Sequence, residues 1–400
     1  MKKAFLLISS IIYSFTIQAQ DTTATSSKRT ADPAPAETVA PGKFTFSGYM
    51  DTYYFGNFNN PKSQSNLGLG QGGSVGNARA FDQRAGQFGI GLIQAKAMFT
   101  SDKVDAVMDL AFGPFADLGN YGNNVGPLNT PGSTSLAIKQ AYITLKATPK
   151  LSFTMGQFGT HIGYEVIDAP VNYNYSLSNL FNNGPFYHIG LKAQYAFSDR
   201  ASLMLGLVNN VDNLFDNNKK KGLIGQFFFS PVSGWNVYLN GITSNEAIES
   251  ATDLGSSNYS LYDLTTTYQI TSKFMLGLNA AMGSQKGSYQ GATGPMPTTA
   301  QGWGGVAGYA NYAFTDKFGL GIRYEMFDNK KGVRALTDAT GAGASVNSIT
   351  ITGNITAADG HVLLKPEFRL DSYSANKFEK NNGTLTTSQA TLGMAAIFKY

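Results

Sequence analysis

Residues 362–371 read "VLLKPEFRLD", and a period of two runs through them. Val362, Leu364, Pro366, Phe368 and Leu370 fall on one side of an extended chain. Lys365, Glu367, Arg369 and Asp371 fall on the other. Alternation of this kind marks a β-strand whose two faces meet different surroundings. Both faces cannot be dry, because unpaired buried charge is very costly. One face therefore meets an apolar medium, and the other meets water or countercharge.

The same period recurs around a repeated polar turn. It appears in "FTSDKVDAVMDL" (99–110), "ATPKLSFTMGQ" (147–157), "FSDRASLMLGL" (197–207), "ITSKFMLGLNA" (270–280) and "FTDKFGLGIRY" (314–324). Each has Ser or Thr, often Asp or Pro, then Lys or Arg, and then apolar residues at every second position. Alternating stretches also run into these turns, as Ile189, Leu191, Ala193, Tyr195 and Phe197 do before Ser198. Each unit is thus a tight hairpin. "SPVSGW" (230–235) and "AADGHV" (357–362) supply less regular turns. Between hairpins, at 56–86, 114–134, 159–186, 209–221, 244–258, 285–301, 328–346 and 372–386, the chain is longer and rich in Gly, Asn and Ser. The layout predicts about sixteen strands with about seven short turns on one side and about eight long loops on the other.

Composition agrees with strands facing two solvents. Of 400 residues only 14% are charged and 42% are hydrophobic, while Gly (45), Tyr (21) and Phe (27) are numerous. Gly and β-branched residues weaken helices. Lipid cannot satisfy backbone hydrogen bonds, so only helices or closed barrels span it. One-sided loop lengths separate a barrel from a sandwich or propeller. The expected fold is all-β: a transmembrane antiparallel up-and-down β-barrel over 42–400, with short periplasmic turns and long extracellular loops. Aromatics near strand ends suit interfacial girdles. They are Tyr49, Tyr53, Tyr54, Tyr142, Tyr187, Tyr195, Phe197, Trp235, Tyr259, Tyr268, Trp303, Tyr312, Phe314, Phe318 and Tyr324.

Residues 1–19 carry Lys2, Lys3, a short apolar stretch and Ala19, the pattern of a cleaved signal peptide. Residues 20–41, rich in Thr, Ser, Ala and Pro, are expected to be a flexible periplasmic leader, too short to plug a wide barrel. The expected destination is the outer membrane of a Gram-negative bacterium, in contact with its lipid. At the other end, "ATLGMAAIFKY" (390–400) alternates to its last residue. It reads as the closing strand, pairing with the region of "GKFTFSGYMDTYYF" so that no edge is left in lipid.

If the apolar set faces lipid, its partners face a lumen. Those are Asp105, Asp109, Lys146, Lys192, Arg323, Glu325, Lys365, Glu367, Arg369 and Asp371. Barrels of sixteen strands leave an aqueous pore, where rings of charge tune selectivity. The third long loop, 159–188, reads "GTHIGYEVIDAPVNYNYSLSNLFNNGPFYH". An exposed loop would not need so many aromatics, so it is expected to fold inward and narrow the pore. Glu165, Asp168, Asn172 and Tyr175 are the candidate constriction residues. Its acids would face wall bases such as Lys146, Lys192, Arg323 and Arg369.

The stretches "FSGYMDTYYFGNFN" (46–59), 139–190 and "KPEFRLDSYSANKF" (365–378) resemble the OmpL-like β-barrel porin family. The most specific run is Gly163, Glu165, Asn172, Tyr175, Ser176, Pro185, Phe186, His188 and Gly190. The resemblance covers the chain from about residue 44 and implies an outer-membrane porin. It names no solute. In similar barrels a terminal aromatic strand is the signal read by the barrel-assembly machinery. Here that signal would be Phe398 and Tyr400, with Tyr in place of the commoner Phe.

Other classes fit less well. With no Cys, disulfides and thiol chemistry are excluded. The net charge of +4 includes Lys2 and Lys3, and no basic stripe suggests nucleic acid. His161, His188 and His361 sit in no motif that fixes a nucleophile. The Gly-rich "NLGLGQGGSVG" (66–76) lacks the strand–helix setting of a phosphate loop and is expected to be a flexible outer loop. No enzymatic activity, cofactor or metal is expected. The sequence predicts passive diffusion of small hydrophilic solutes or ions. The alternative is a non-conducting barrel that anchors or adheres through its loops. A homotrimer is a candidate assembly by analogy with other porins.

Overall fold

Every backbone N–H and C=O of a strand needs a partner, and here the strands supply one another in a closed ring. The structure is a computed structural model that describes residues 42–119, 138–209, 211–212, 216, 218–246, 258–287 and 299–400. The expected signal peptide (1–19) and leader (20–41) lie outside the described residues.

The first eight strands are β1 (Lys43–Asn57), β2 (Phe88–Thr100), β3 (Val104–Phe112), β4 (Ile138–Lys146), β5 (Leu151–Gly159), β6 (Tyr187–Ser198), β7 (Ala201–Val208) and β8 (Gly222–Phe229). The others are β9 (Trp235–Asn245), β10 (Asn258–Gln269), β11 (Phe274–Gln285), β12 (Gln301–Ala313), β13 (Phe318–Asp328), β14 (Ser345–Ala357), β15 (Val362–Tyr373) and β16 (Ser388–Lys399). Each pairs antiparallel with its sequence neighbour, and β16 pairs with β1 to close the barrel. The seam runs from Tyr49 opposite Lys399 to Asn57 opposite Thr391. Tyr400 adds a reciprocal pair with Gly48, at 3.1 and 3.3 Å. No edge remains for lipid to meet. Among the described residues no helix is long and apolar enough to cross a membrane.

The turn motif has a local cause. A Ser or Thr hydroxyl accepts the backbone N–H two or three residues on, which holds the reversal in place of a backbone bond. Thr315 Oγ1 accepts from Phe318 N at 3.0 Å, Thr271 Oγ1 from Phe274 N at 3.0 Å, and Thr148 Oγ1 from Leu151 N at 3.0 Å. Ser101 Oγ does the same for Val104 N.

The outer face is largely apolar, with Met108, Ile143, Met155, Leu205, Leu223, Met282, Met326 and Met394 exposed on it. At the short-turn rim aromatics cluster: Tyr195–Phe197, Trp235–Tyr268, Phe314–Phe318 and Phe398–Tyr400 have ring centroids 5.2–6.2 Å apart. Not every aromatic expected there is on this face. Tyr49, Tyr53, Tyr187, Tyr259 and Trp303 point inward and are at most 5% exposed. They occupy the inward parity of their strands and pack on loops inside the barrel. Tyr53, for example, stacks on Phe115 at 5.7 Å and packs tilted against Tyr175 at 5.8 Å. The Gly-rich loop after β1 also folds back on itself rather than spreading outward, with Leu69 bridging Val75 and Ser65 bridging Arg84.

Met394 lies mid-strand on the lipid side of the seam. Met394→Arg should destabilise the barrel by about 2–4 kcal/mol, read from urea unfolding in lipid vesicles, and Met394→Leu should be near neutral. Equal stability of the arginine variant would contradict the assigned face.

Candidate functional site

Inside the barrel, the segment 160–186 between β5 and β6 determines what the inward side chains can do. Its backbone is not in a sheet, so its N–H and C=O groups need side-chain partners wherever water is excluded. The wall provides them. Glu367 on β15 accepts Tyr175 N at 2.7 Å and Ser176 N at 3.1 Å. Glu325 on β13 accepts Asn179 N at 2.8 Å and Leu180 N at 2.7 Å. Those last two amides open the short helix α1 (Asn179–Asn183), where helical N–H groups have no intrahelical acceptor. Lys365 donates to the carbonyls of Ala169, at 2.8 Å, and Asn172, and Arg369 donates to Leu177 O at 2.8 Å.

The same segment reaches the far wall. His161 Nε2–H donates to Gly241 O on β9 at 3.1 Å, and Gly163 N donates to Asp263 on β10 at 3.2 Å. Tyr175 Oη donates to Asp51 on β1 at 2.5 Å. β1 and β9 lie half a ring apart in the strand order. The segment is thus bonded to inward groups on opposite sides of the barrel.

The sequence-predicted residues take distinct positions. Glu165 pairs with Arg323, and its other oxygen accepts Ser178 N at 2.7 Å. Arg323 and Glu325 are 0% exposed, and Lys365, Glu367, Arg369 and Asp371 are 1% exposed. Those six charges face inward but are covered by the loops, so they do not form an open ring against water. Asp371 takes Arg369 Nε at 2.8 Å and Arg79 at 2.9 Å. Asp105 pairs with Lys146 at 2.7 Å near the short-turn mouth, away from the loop acids. Lys192 lies 4.2 Å above the Phe158 ring. Asn172 bonds back to Val166 within the loop, Nδ2 to the carbonyl and Oδ1 from the amide at 3.1 Å. Asp109 accepts from Gln94 and Gln140 at 3.0 and 3.1 Å.

Asp168 pairs not with Lys146 or Lys192 but with Lys139, at 2.5 Å. Strict alternation on β4 puts Lys139 opposite the inward set of Gln140, Tyr142, Thr144 and Lys146. The ladder with β3 slips at that point: Asp109 faces Gln140, and Leu110 already faces Ile138. The unpaired Lys139 turns inward, as a bulged residue can. Two more residues escaped sequence reading. Arg79, in the loop after β1, reaches Asp371, Asp82 and Thr391. Asp51 lies opposite a register shift between β1 and β2, where it accepts Leu92 N at 2.8 Å. A Cβ on Gly91 would come within 2.0 Å of that carboxylate, so only glycine fits beside it. The one local signal was Gly91 itself.

An open space of about 370 Å³ remains between the segment and β8–β12. Tyr164 borders it, stacked on Tyr309 at 3.9 Å. His161 and His188 have rings 5.8 Å apart, and His188 Nε2 bonds Thr160 Oγ1 at 3.1 Å.

Comparisons with known proteins agree with this architecture. The family profile described as "Putative beta-barrel porin-2, OmpL-like" matches residues 43–400. Several solved barrels share the fold at low identity. OmpT of Vibrio cholerae is 13% identical over 91% of this chain and 99% of its own, with a TM-score of 0.53. The outer-membrane channel DcaP of Acinetobacter baumannii is 12% identical over 90% and 97%, with a TM-score of 0.54. An anion-selective porin from Comamonas acidovorans is 10% identical over 90% and 100%, with a TM-score of 0.56. No curated protein matches the chain by sequence.

The buried pairing makes a test. Arg323→Ala leaves Glu165 buried without its countercharge and should cost about 3–5 kcal/mol of stability. Adding Glu165→Gln should recover part of the loss. Lys146→Ala, at a part-exposed pair, should cost under about 1 kcal/mol. Denaturant unfolding in detergent reads all three. Equal costs at both pairs would contradict the packing described.

Proposed function

Because the chain belongs to the OmpL-like beta-barrel porin-2 family, we propose that it is a passive diffusion porin of the outer membrane whose pore is narrowed by the third loop. The observation that carries this reading is the path of 160–186. That segment is tied to inward groups of β1, β9, β10, β13 and β15 within a closed ring of 16 strands. Small solutes would pass beside it, down their gradient, and larger ones would be excluded by size. Its fastening through buried charge supports a fixed constriction rather than a mobile cover, since releasing Glu325 or Glu367 from its amides would leave buried carboxylate unsatisfied. On this reading Glu165, Asp168, Asn172 and Tyr175 hold the shape of the narrowing. Phe398 and Tyr400, exposed on the outer face of the seam, would present the assembly signal.

The test is single-channel recording in planar bilayers. The wild-type chain should conduct, and deletion of residues 164–181 should raise conductance about twofold or more. The deletion also strips wall charges of their partners. Val171→Trp, at an exposed position beside the open space, is therefore the second variant and should lower conductance. Unchanged conductance in both would sink the constriction. No channels from a folded wild-type barrel would sink the porin reading and favour an anchor or adhesin.

A further inference from the structure

The wall charges on β13 and β15 that a porin could use as a filter are already committed. Arg323, Glu325, Lys365, Glu367 and Arg369 are at most 1% exposed, and each bonds the loop. What the open space offers instead is neutral. Gln226 and Asn240, whose amides bond each other at 2.8 Å, and the hydroxyls of Thr265 and Thr267 line it from β8, β9 and β10. The Gln226 carbonyl oxygen and the Thr267 hydroxyl are the groups left for a ligand. From the loop come the rings of Tyr173, 40% exposed, and Tyr164, the latter stacked on Tyr309 of β12. Glu165 is the only carboxylate lining this space among the described residues, and both its oxygens are taken by Arg323 and Ser178. The nearby Asp263 is equally occupied, by Gly163 N, Asn240 Nδ2, Thr265 Oγ1 and Asn279 Nδ2.

Resting on the porin reading, we infer that this space is a subsite for uncharged polyhydroxylated solutes of sugar size. Amide and hydroxyl groups offer both donors and acceptors, which match a hydroxyl-rich ligand and reward no single charge. Flat tyrosine faces suit the C–H faces of a sugar ring, whereas a small inorganic ion gains nothing from them. A volume of about 370 Å³ falls within the usual range for a small-molecule site. An ion crossing here would shed water against a lining whose one carboxylate is already paired, so discrimination between anions and cations should be weak.

The experiment uses the full chain reconstituted in bilayers and liposomes. In a KCl gradient the reversal potential should lie near zero. Glucose should swell proteoliposomes about fivefold faster than gluconate or glucosamine, which are close to it in size. Glucose or maltose added to the bilayer should block current saturably. Tyr173→Ala and Tyr238→Ala, the latter on β9 and also lining the space, should each raise the half-blocking concentration about fivefold. Conducting channels that pass all three solutes equally, favour a charged one, or show no saturable block would overturn the inference and leave the porin reading standing. Absence of conductance would overturn the porin reading itself.

Discussion

Hydrocarbon offers no hydrogen bonds, and the rest of the structure follows from that lack. Sixteen strands can satisfy one another only if the last meets the first, and Tyr400 with Gly48 completes that ring. Closure separates the residues into two sets by parity alone. The outer set, from Met108 to Met394, can be uniformly apolar. The inner set is released from lipid and must then be reconciled with whatever occupies the bore.

That reconciliation runs through exchange between wall and loop. The segment 160–186 brings backbone amides and carbonyls that lack sheet partners. β13 and β15 bring carboxylates, an ammonium and guanidinium groups that could not stay buried alone. Glu325 and Glu367 take amides, and Lys365 and Arg369 take carbonyls. Each side removes the other's desolvation penalty, which is why the arrangement can be nearly dry on one half of the bore. The open space then falls where the wall is neutral, along β8–β12.

The fold was legible because a barrel repeats its signal. Five of the seven hairpins carried the same hydroxyl-bearing turn, and "VLLKPEFRLD" alone required one apolar and one charged environment. The inward parity of Asp105, Arg323, Glu325 and Lys365 could be read the same way. Partnership could not, because it depends on contacts between residues distant in sequence, 41 positions apart for Asp105 and Lys146 and 158 for Glu165 and Arg323. Lys139 was hidden by a slip of one residue in the β3–β4 ladder, which alternation cannot foresee. Arg79 lies in a Gly-rich loop whose composition suggested exposure. Tyr49, Tyr187 and Tyr259 read as rim aromatics because position along a strand says nothing about what packs against it from inside.

The placement of the loop against the β13–β15 wall is the claim on which the account turns. Tyr173 and Gly321 test it: a Cβ at Gly321 would lie 3.0 Å from that of Tyr173, close to the separation a disulfide spans after slight relaxation. The chain has no cysteine to interfere. In the barrel carrying Tyr173→Cys and Gly321→Cys, folded in lipid and mildly oxidised, both thiols should vanish to a maleimide mass tag and return on reduction. Two thiols that stay free in a folded barrel would place the loop elsewhere.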